Sequence, residues 1–391
     1  MGMLRDEIEA LEQNGITGVA LKRIGDPNVI PLWFGEGDLV TPAFIRDAAK
    51  LALDEGYTFY GHTRGRPELR AAIKSYLARL YGQDVDVERI TVPGSSMLAI
   101  TMAAQMTLTS GLHALLVTPH WPNIDRAFQV TGASFSHVRQ RWSRDGGWSL
   151  ELDDVRAAAR PNTRAIFLNS PCNPTGWVMQ RPAQQALLEF CRERGIVIIA
   201  DEVYHRTVFD VDLAPSFLQV AQDDDPLIVV NGFSKAFAMT GWRLGWMVTP
   251  RDYGAQMAVL SECFNTSAPS FIQRAALVAL ERGDEAVAML RRQYADGRDA
   301  VMEILGSHPR IELSTPAGAF YAFPRIPGLG SSLAFVEGVL AEENVGLAPG
   351  YTFGPGSDEH FRLCFAQSPA RLREALTHIV RYIDRHAREL G

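Results

Sequence analysis

The chain has 391 residues, long for one compact core, so two domains, or a large α/β core with a smaller one appended, are expected. A hydrophobic content of 47% and a charged content of 21% are those of a globular protein, and the net charge of −7 gives no basic surface of the kind nucleic acid requires. Cys172, Cys191, Cys263 and Cys364 lie far apart with no Cys-x-x-Cys pair, the N-terminus carries acids in place of a signal peptide's apolar segment, and no apolar run approaches membrane-spanning length. A cytoplasmic chain without disulfides or structural zinc is the expectation.

In chain order, the first strand-like run is "ERITVP" (88–93), which meets a Gly-Ser-Ser turn opening the helical stretch "GSSMLAITMAAQ". "HALLVTP" (113–119) and "TRAIFLNSP" (163–171) follow, then the helical pattern "RPAQQALLEFCRERG" (181–195) with Gly195 as its stop. "GIVIIADE" (195–202) and "PLIVVNG" (226–232) complete the set. These runs are apolar throughout rather than alternating, as strands covered on both faces are. Their alternation with helices predicts a mostly parallel sheet sandwiched by helices. A long helical pattern, 284–305, leads into a different texture, "IELSTPAGAFYAFPRI" and a charged final helix. The expected division is a large domain of residues 46–285 and a smaller α+β domain built from 1–45 and 286–391.

Open α/β sheets bind ligands beyond the carboxyl ends of their strands. At those ends stand Gly94-Ser95-Ser96, Trp121, Asn173, Asp201 with Tyr204, and Ser234 with Lys235, followed by Arg243. Together they suit a flat, anionic, electron-poor aromatic aldehyde. The turn at a helix start and Arg243 would hold a phosphate. Trp121 would stack on a ring, Asp201 would keep a pyridine nitrogen protonated, and Asn173 and Tyr204 would bond a ring hydroxyl. Lys235 would close the aldehyde as a Schiff base. Each residue has a plainer reading as well. A lysine or arginine is usually a solvated surface charge, Asp201 and Asn173-Pro174 can be turn chemistry, and a tryptophan is more often core. An acid after "IVIIA", however, is costly to bury without a cation. His205 offers no second metal ligand at helical or hairpin spacing, so no metal site is expected, and "GLGSSL" (328–333) lacks the third glycine and preceding strand of a dinucleotide fingerprint.

The segments "GEGDLVTP", "YGHTRGRPELRAAI", "PGSSMLAI", "NSPCNPTG", "DEVY", "SKAFAMTGWRLGW", "PAGAFYAF" and "PGYTFGPGSDEHFRLCFA" resemble, in this order and over nearly the whole chain, the pyridoxal-phosphate-dependent class I/II aminotransferases of the aspartate aminotransferase superfamily, fold type I. The resemblance implies Lys235, Asp201 and Tyr204 as catalytic residues. It implies Ser95, Ser96, Met97, Trp121, Asn173, Ser234 and Arg243 as further holders of pyridoxal 5'-phosphate, with Tyr60 reaching the phosphate of a partner subunit in a homodimer. Arg362 would clamp the substrate's α-carboxylate, with Gly35 and Asn173 at the substrate's mouth. The implied reaction is ping-pong transfer of an amino group between an L-amino acid and a 2-oxo acid. Residues 16–36 would help line the entrance, and the lack of an assignable arginine for a second carboxylate leans toward neutral or aromatic substrates. Two departures stand out: Gly232 replaces a serine common three residues before the lysine, and "GEGD" replaces "GEPD". The same residues would equally serve a lyase or cyclase of the β- or γ-elimination type. A ligand-sensing module of a DNA-binding regulator is a third reading, disfavoured because no basic recognition helix is seen.

Overall fold

The computed structural model describes residues 3–144 and 146–388. The elements that build the central layer are β1 (Ile90–Gly94), α1 (Ser96–Thr107), β2 (His113–Thr118), α2 (Asn123–Gln129), β3 (Ser134–Arg139), β4 (Thr163–Asn169), α3 (Arg181–Arg194), β5 (Val197–Asp201), β6 (Leu227–Gly232) and β7 (Gly245–Val248). The strands form one seven-stranded sheet in the order β1-β7-β6-β5-β4-β2-β3. Pairing is parallel from β6 to β3, and β7 runs antiparallel to both its neighbours.

The apolar runs become strands because both faces of the sheet are covered. Ile166 and Leu168 of β4 enter one buried cluster, while Ala165 and Phe167 enter another on the opposite face. Helix α3 ends at Gly195, which takes φ +64° in the left-handed region that glycine occupies without strain. Only β3, at the sheet's edge, carries polar and partly exposed residues along its length. The short strand β7 falls inside the glycine-rich stretch that the sequence offered as a motif and not as an element.

After α4 (Asp284–Ile304) comes a second layer: β8 (Tyr321–Ala322), α5 (Ser332–Glu343), β9 (Ala348–Pro349), β10 (Phe361–Cys364) and α6 (Pro369–Arg385). β10 pairs antiparallel with both β8 and β9. A third buried cluster joins Ile16, Val19, Ile30, Leu32 and Trp33 of the N-terminal segment to residues of this layer. Ile30–Pro31 pairs in parallel with Val345–Gly346, and Lys22 meets Glu337 at 2.6 Å. Among the described residues, no helix is long and apolar enough to cross a membrane, and the four cysteines are free.

Candidate active site

The parallel strands deliver their carboxyl ends to one rim, and β8 and β10 of the second layer face it. Between them lies a cavity of about 210 Å³ lined by Gly35, Trp121, Asp201, Lys235, Arg243 and Arg362, among others. Ser96, Met97, Asn173, Tyr204 and Ser234 also border it. Two of the sequence-predicted residues lie elsewhere. Ser95 does not line the cavity; its hydroxyl accepts the Leu98 N–H at 3.1 Å and caps α1. Tyr60 is 90% exposed at the surface of the chain.

Each lining residue is held by the local fold. Asp201 is the last residue of β5 and is buried; its carboxylate accepts the Val203 N–H at 3.2 Å. Burial pushes its pKa up to about 7, against the opposing pull of that N–H and of the Lys235 charge. Asn169, the last residue of β4, donates to the Asp201 carbonyl at 2.9 Å and accepts the Asn173 N–H at 2.7 Å. It thereby ties the Asn173 loop to the strand beside it.

Lys235 follows β6 and is half-buried at the cavity wall. Its Nζ donates to the Gly35 carbonyl at 2.6 Å and sits 5.8 Å from the centre of the Tyr204 ring. Burial lowers its pKa to about 8; Cys364 and Glu36 oppose the shift, and the Arg362 and Arg243 charges add to it. Arg243 takes φ +54° and donates to the Thr240 carbonyl at 2.6 Å. Tyr204 Oη meets Tyr321 Oη at 2.7 Å.

Arg362 is 2% exposed. Its guanidinium donates to the Trp33 carbonyl and, at 3.2 Å, to Asn173 Oδ1, while Nε has no partner. The group also packs 4.7 Å from the Tyr321 ring centre. Among the described residues no carboxylate pairs with Lys235, Arg243 or Arg362. Three cations and one buried acid therefore face a single cavity, an arrangement that takes an anionic ligand bearing one basic centre. α1 begins at this rim: its first residues, Ser96 and Met97, border the same space, and the first N–H groups of a helix have no intrahelical partner. The residues thus fit pyridoxal 5'-phosphate.

Gly232 bears on the departure noted in the sequence. A Cβ there would come within 2.3 Å of Ser96 Oγ, which donates to the Asn231 carbonyl at 2.9 Å. The Ser96 hydroxyl fills the room a side chain at 232 would need. Tyr321, Asn169 and Phe34 also line the cavity and were not singled out from the sequence. Tyr321 lies inside the quoted "PAGAFYAF", and Asn169 could have been found as the last residue of a buried strand, by the rule that located Asp201.

The model of the family described as aminotransferase class I and II matches residues 28–379. A putative aminotransferase, YugH, of Bacillus subtilis is 33% identical over 387 residues, 98% of each chain. An aspartate aminotransferase of Pyrococcus horikoshii is 32% identical over 360 residues, 91% of each. The solved structure of an aromatic aminotransferase from Pyrococcus horikoshii superposes with a TM-score of 0.87 at 33% identity, covering 96% of this chain and 100% of that one. All three are named for amino-group transfer, and none for elimination or cyclisation.

Proposed function

The chain belongs to the aminotransferase class I and II family, and from that premise we propose how its own residues carry amino-group transfer between an amino acid and a 2-oxo acid. The family is in general pyridoxal-phosphate dependent. When bound, that cofactor supplies an aldehyde that takes up an amino group and a ring that draws off electrons. Lys235 would provide the amine that anchors it and, once displaced, the base. Its Nζ would take the proton from the substrate's Cα and deliver it to the former aldehyde carbon of the cofactor, so that the amino group stays with the cofactor and the substrate leaves as its 2-oxo acid. Asp201 would hold positive charge on the ring nitrogen of the bound cofactor. Asn173 and Tyr204 would hydrogen-bond its ring oxygen, and Trp121 would supply an aromatic wall for its ring. Ser96, Met97, Ser234 and Arg243 take the phosphate, with Ser95 shaping the turn as a cap.

Arg362 takes the substrate carboxylate, and its fixed position selects which Cα bond faces the base. The observation that carries this reading is the convergence on one cavity of a lysine of lowered pKa, a buried acid and a buried arginine with no carboxylate partner among the described residues. The cavity's lining includes Phe34, Ile100, Trp121 and Tyr321, the last packed against Arg362, which supports a substrate with a neutral or aromatic side chain. One buried cluster draws mainly on residues 16–33 and 290–383 and another on residues 45–287, which supports a division near residues 46–285 and the pair 1–45 with 286–391, with Val203 and Tyr204 joining the two. The free thiols support a reducing, cytoplasmic setting. A homodimer completes the reading.

The test is a panel of single amino acids added to the cofactor-loaded chain without an acceptor. At least one neutral or aromatic amino acid is expected to bleach the visible band and yield its 2-oxo acid in one-to-one amount. A panel with no response, or ammonia released without any acceptor, would sink the proposal.

A further inference from the structure

Behind Trp121, outside the cavity, three potential metal ligands from three elements meet: His120 from the loop after β2, Asp125 from the first turn of α2, and His137 from the middle of edge strand β3. Their ligand atoms all lie within 4.8 Å of one another. Asp125 Oδ1 is shared, 2.9 Å from His137 Nε2 and 3.3 Å from His120 Nε2.

His120 is the informative member. It is 1% exposed, and its Nδ1 lies 3.1 Å from the Trp121 carbonyl. A carbonyl only accepts, so Nδ1 carries a proton, which leaves Nε2 as the ring atom able to bind an ion. That buried Nε2 has no hydrogen-bond partner. It faces the Asp125 carboxylate at 3.3 Å, a contact that either a proton on Nε2 or a bound cation makes favourable. The spacing fits a metal ion in that role. Two ligands bound at about 2.0–2.1 Å in a tetrahedron stand about 3.3 Å apart, the separation of His120 Nε2 and Asp125 Oδ1. The 2.9 Å to His137 is shorter and the widest separation reaches up to 4.8 Å, so the partly exposed His137 and Asp125 side chains would adjust by a few tenths of an ångström or more on binding. The Nδ1–H bond to a backbone carbonyl is the outer contact that fixes ligating histidines. Asp125 and His137 are 29% and 22% exposed in their side chains, which leaves a path for an ion and room for water as a further ligand.

We propose that His120, Asp125 and His137 form a binding site for a divalent transition metal of the Zn²⁺ type, distinct from the amino-transfer cavity. Two imidazoles and one carboxylate are a donor set that suits such an ion. Because His120 Nδ1 holds the Trp121 carbonyl, a bound ion braces the backbone of a residue that lines the cavity. In sequence the three ligands are five and twelve residues apart, no helical or hairpin spacing, so they meet only in the folded chain.

The test uses the full chain loaded with pyridoxal phosphate, stripped of adventitious metal by a chelator, and titrated with Co²⁺ and then Zn²⁺. One Co²⁺ per chain is expected, with the visible absorption of a low-coordinate site that Zn²⁺ abolishes. His137→Gln and Asp125→Asn should each weaken binding by at least about tenfold. His137→Gln changes a partly exposed edge-strand position and serves if the other variant fails to fold. No binding by the native chain, or binding unaltered in the folded variants, overturns the proposal.

Discussion

A lysine with its ordinary pKa of 10.5 would be neutral in roughly one molecule in three thousand at pH 7. At a pKa of about 8 the neutral share is roughly a tenth, and only the neutral amine attacks an aldehyde or takes a proton from carbon. If Lys235 is the anchor, its burial at the cavity wall with two arginines nearby serves the chemistry. It makes a pH prediction. The rate at which the chain captures pyridoxal phosphate, read as the mass added after borohydride reduction, should rise with pH about a midpoint near 8. A midpoint above 10 would show that this lysine is solvated and not the anchor. Lys235→Ala should fold, gain no such mass at this site, and lose amino transfer by about 10²–10⁴-fold.

At the scale of elements, the site depends on how closely α1, β6 and β7 approach. Gly245 of β7 stands against the Asn231 carbonyl and the Ser96 N–H, where a Cβ would come within 2.7 and 2.8 Å of backbone atoms that cannot move. At Gly232 the obstacle is a hydroxyl that can rotate. Gly232→Ser should therefore cost about 1–3 kcal/mol by overpacking, while the double variant Ser96→Ala with Gly232→Ser should recover most of it and retain cofactor affinity. Thermal melts and cofactor titrations of the single and double variants check this; equal melting points for the two would show that the hydroxyls do not compete for one space. The same elements show what the sequence could reveal. Four of the five parallel strands were legible because burial on both faces demands unbroken apolar runs, and Asp201 and Lys235 because they end or follow such runs, whereas the polar edge strand β3 gave no such signal. β7 was hidden because four residues amid glycines carry no periodicity. The cluster of His120, Asp125 and His137 was hidden because it depends on the parallel register of β2 and β3, which adjacent residues do not encode.

Over the whole molecule, the buried acids set the pH response of folding. Burial raises Asp201 and its neighbour Glu202 to about 7, against 3.8 and 4.5 for the free groups. Between those limits the folded chain keeps protons that the unfolded chain releases, so the stability they contribute is complete below about pH 4 and is lost as pH rises toward 7. His205 and His360, lowered by burial to about 3 and 4, act in the opposite sense, so the slope must be read against a variant. Asp201→Asn should make the melting temperature of the cofactor-free chain fall less between pH 4.5 and 7 than it does in the native chain; parallel slopes would mean that Asp201 is ionised throughout.

The second prediction at this scale concerns assembly. Phe59 and Tyr60 are 83% and 90% exposed, yet their backbone is pinned: Ser270 Oγ donates to the Phe59 carbonyl at 3.3 Å, and Gly61 N–H donates to Ser267 Oγ at 3.1 Å. Two consecutive aromatic side chains held out to water on a fixed segment suit insertion into a second copy of the chain. If Tyr60 serves the partner's phosphate site, Tyr60→Ala and Lys235→Ala chains, each weak or inactive alone, should complement when unfolded and refolded together. Half of the dimers would then be mixed, and one of the two sites in each would have both residues intact, so about a quarter of native activity should return at limiting cofactor. If Tyr60 acts within its own chain, every mixed site carries one defect and nothing is recovered, which separates the two arrangements without a structure of the dimer.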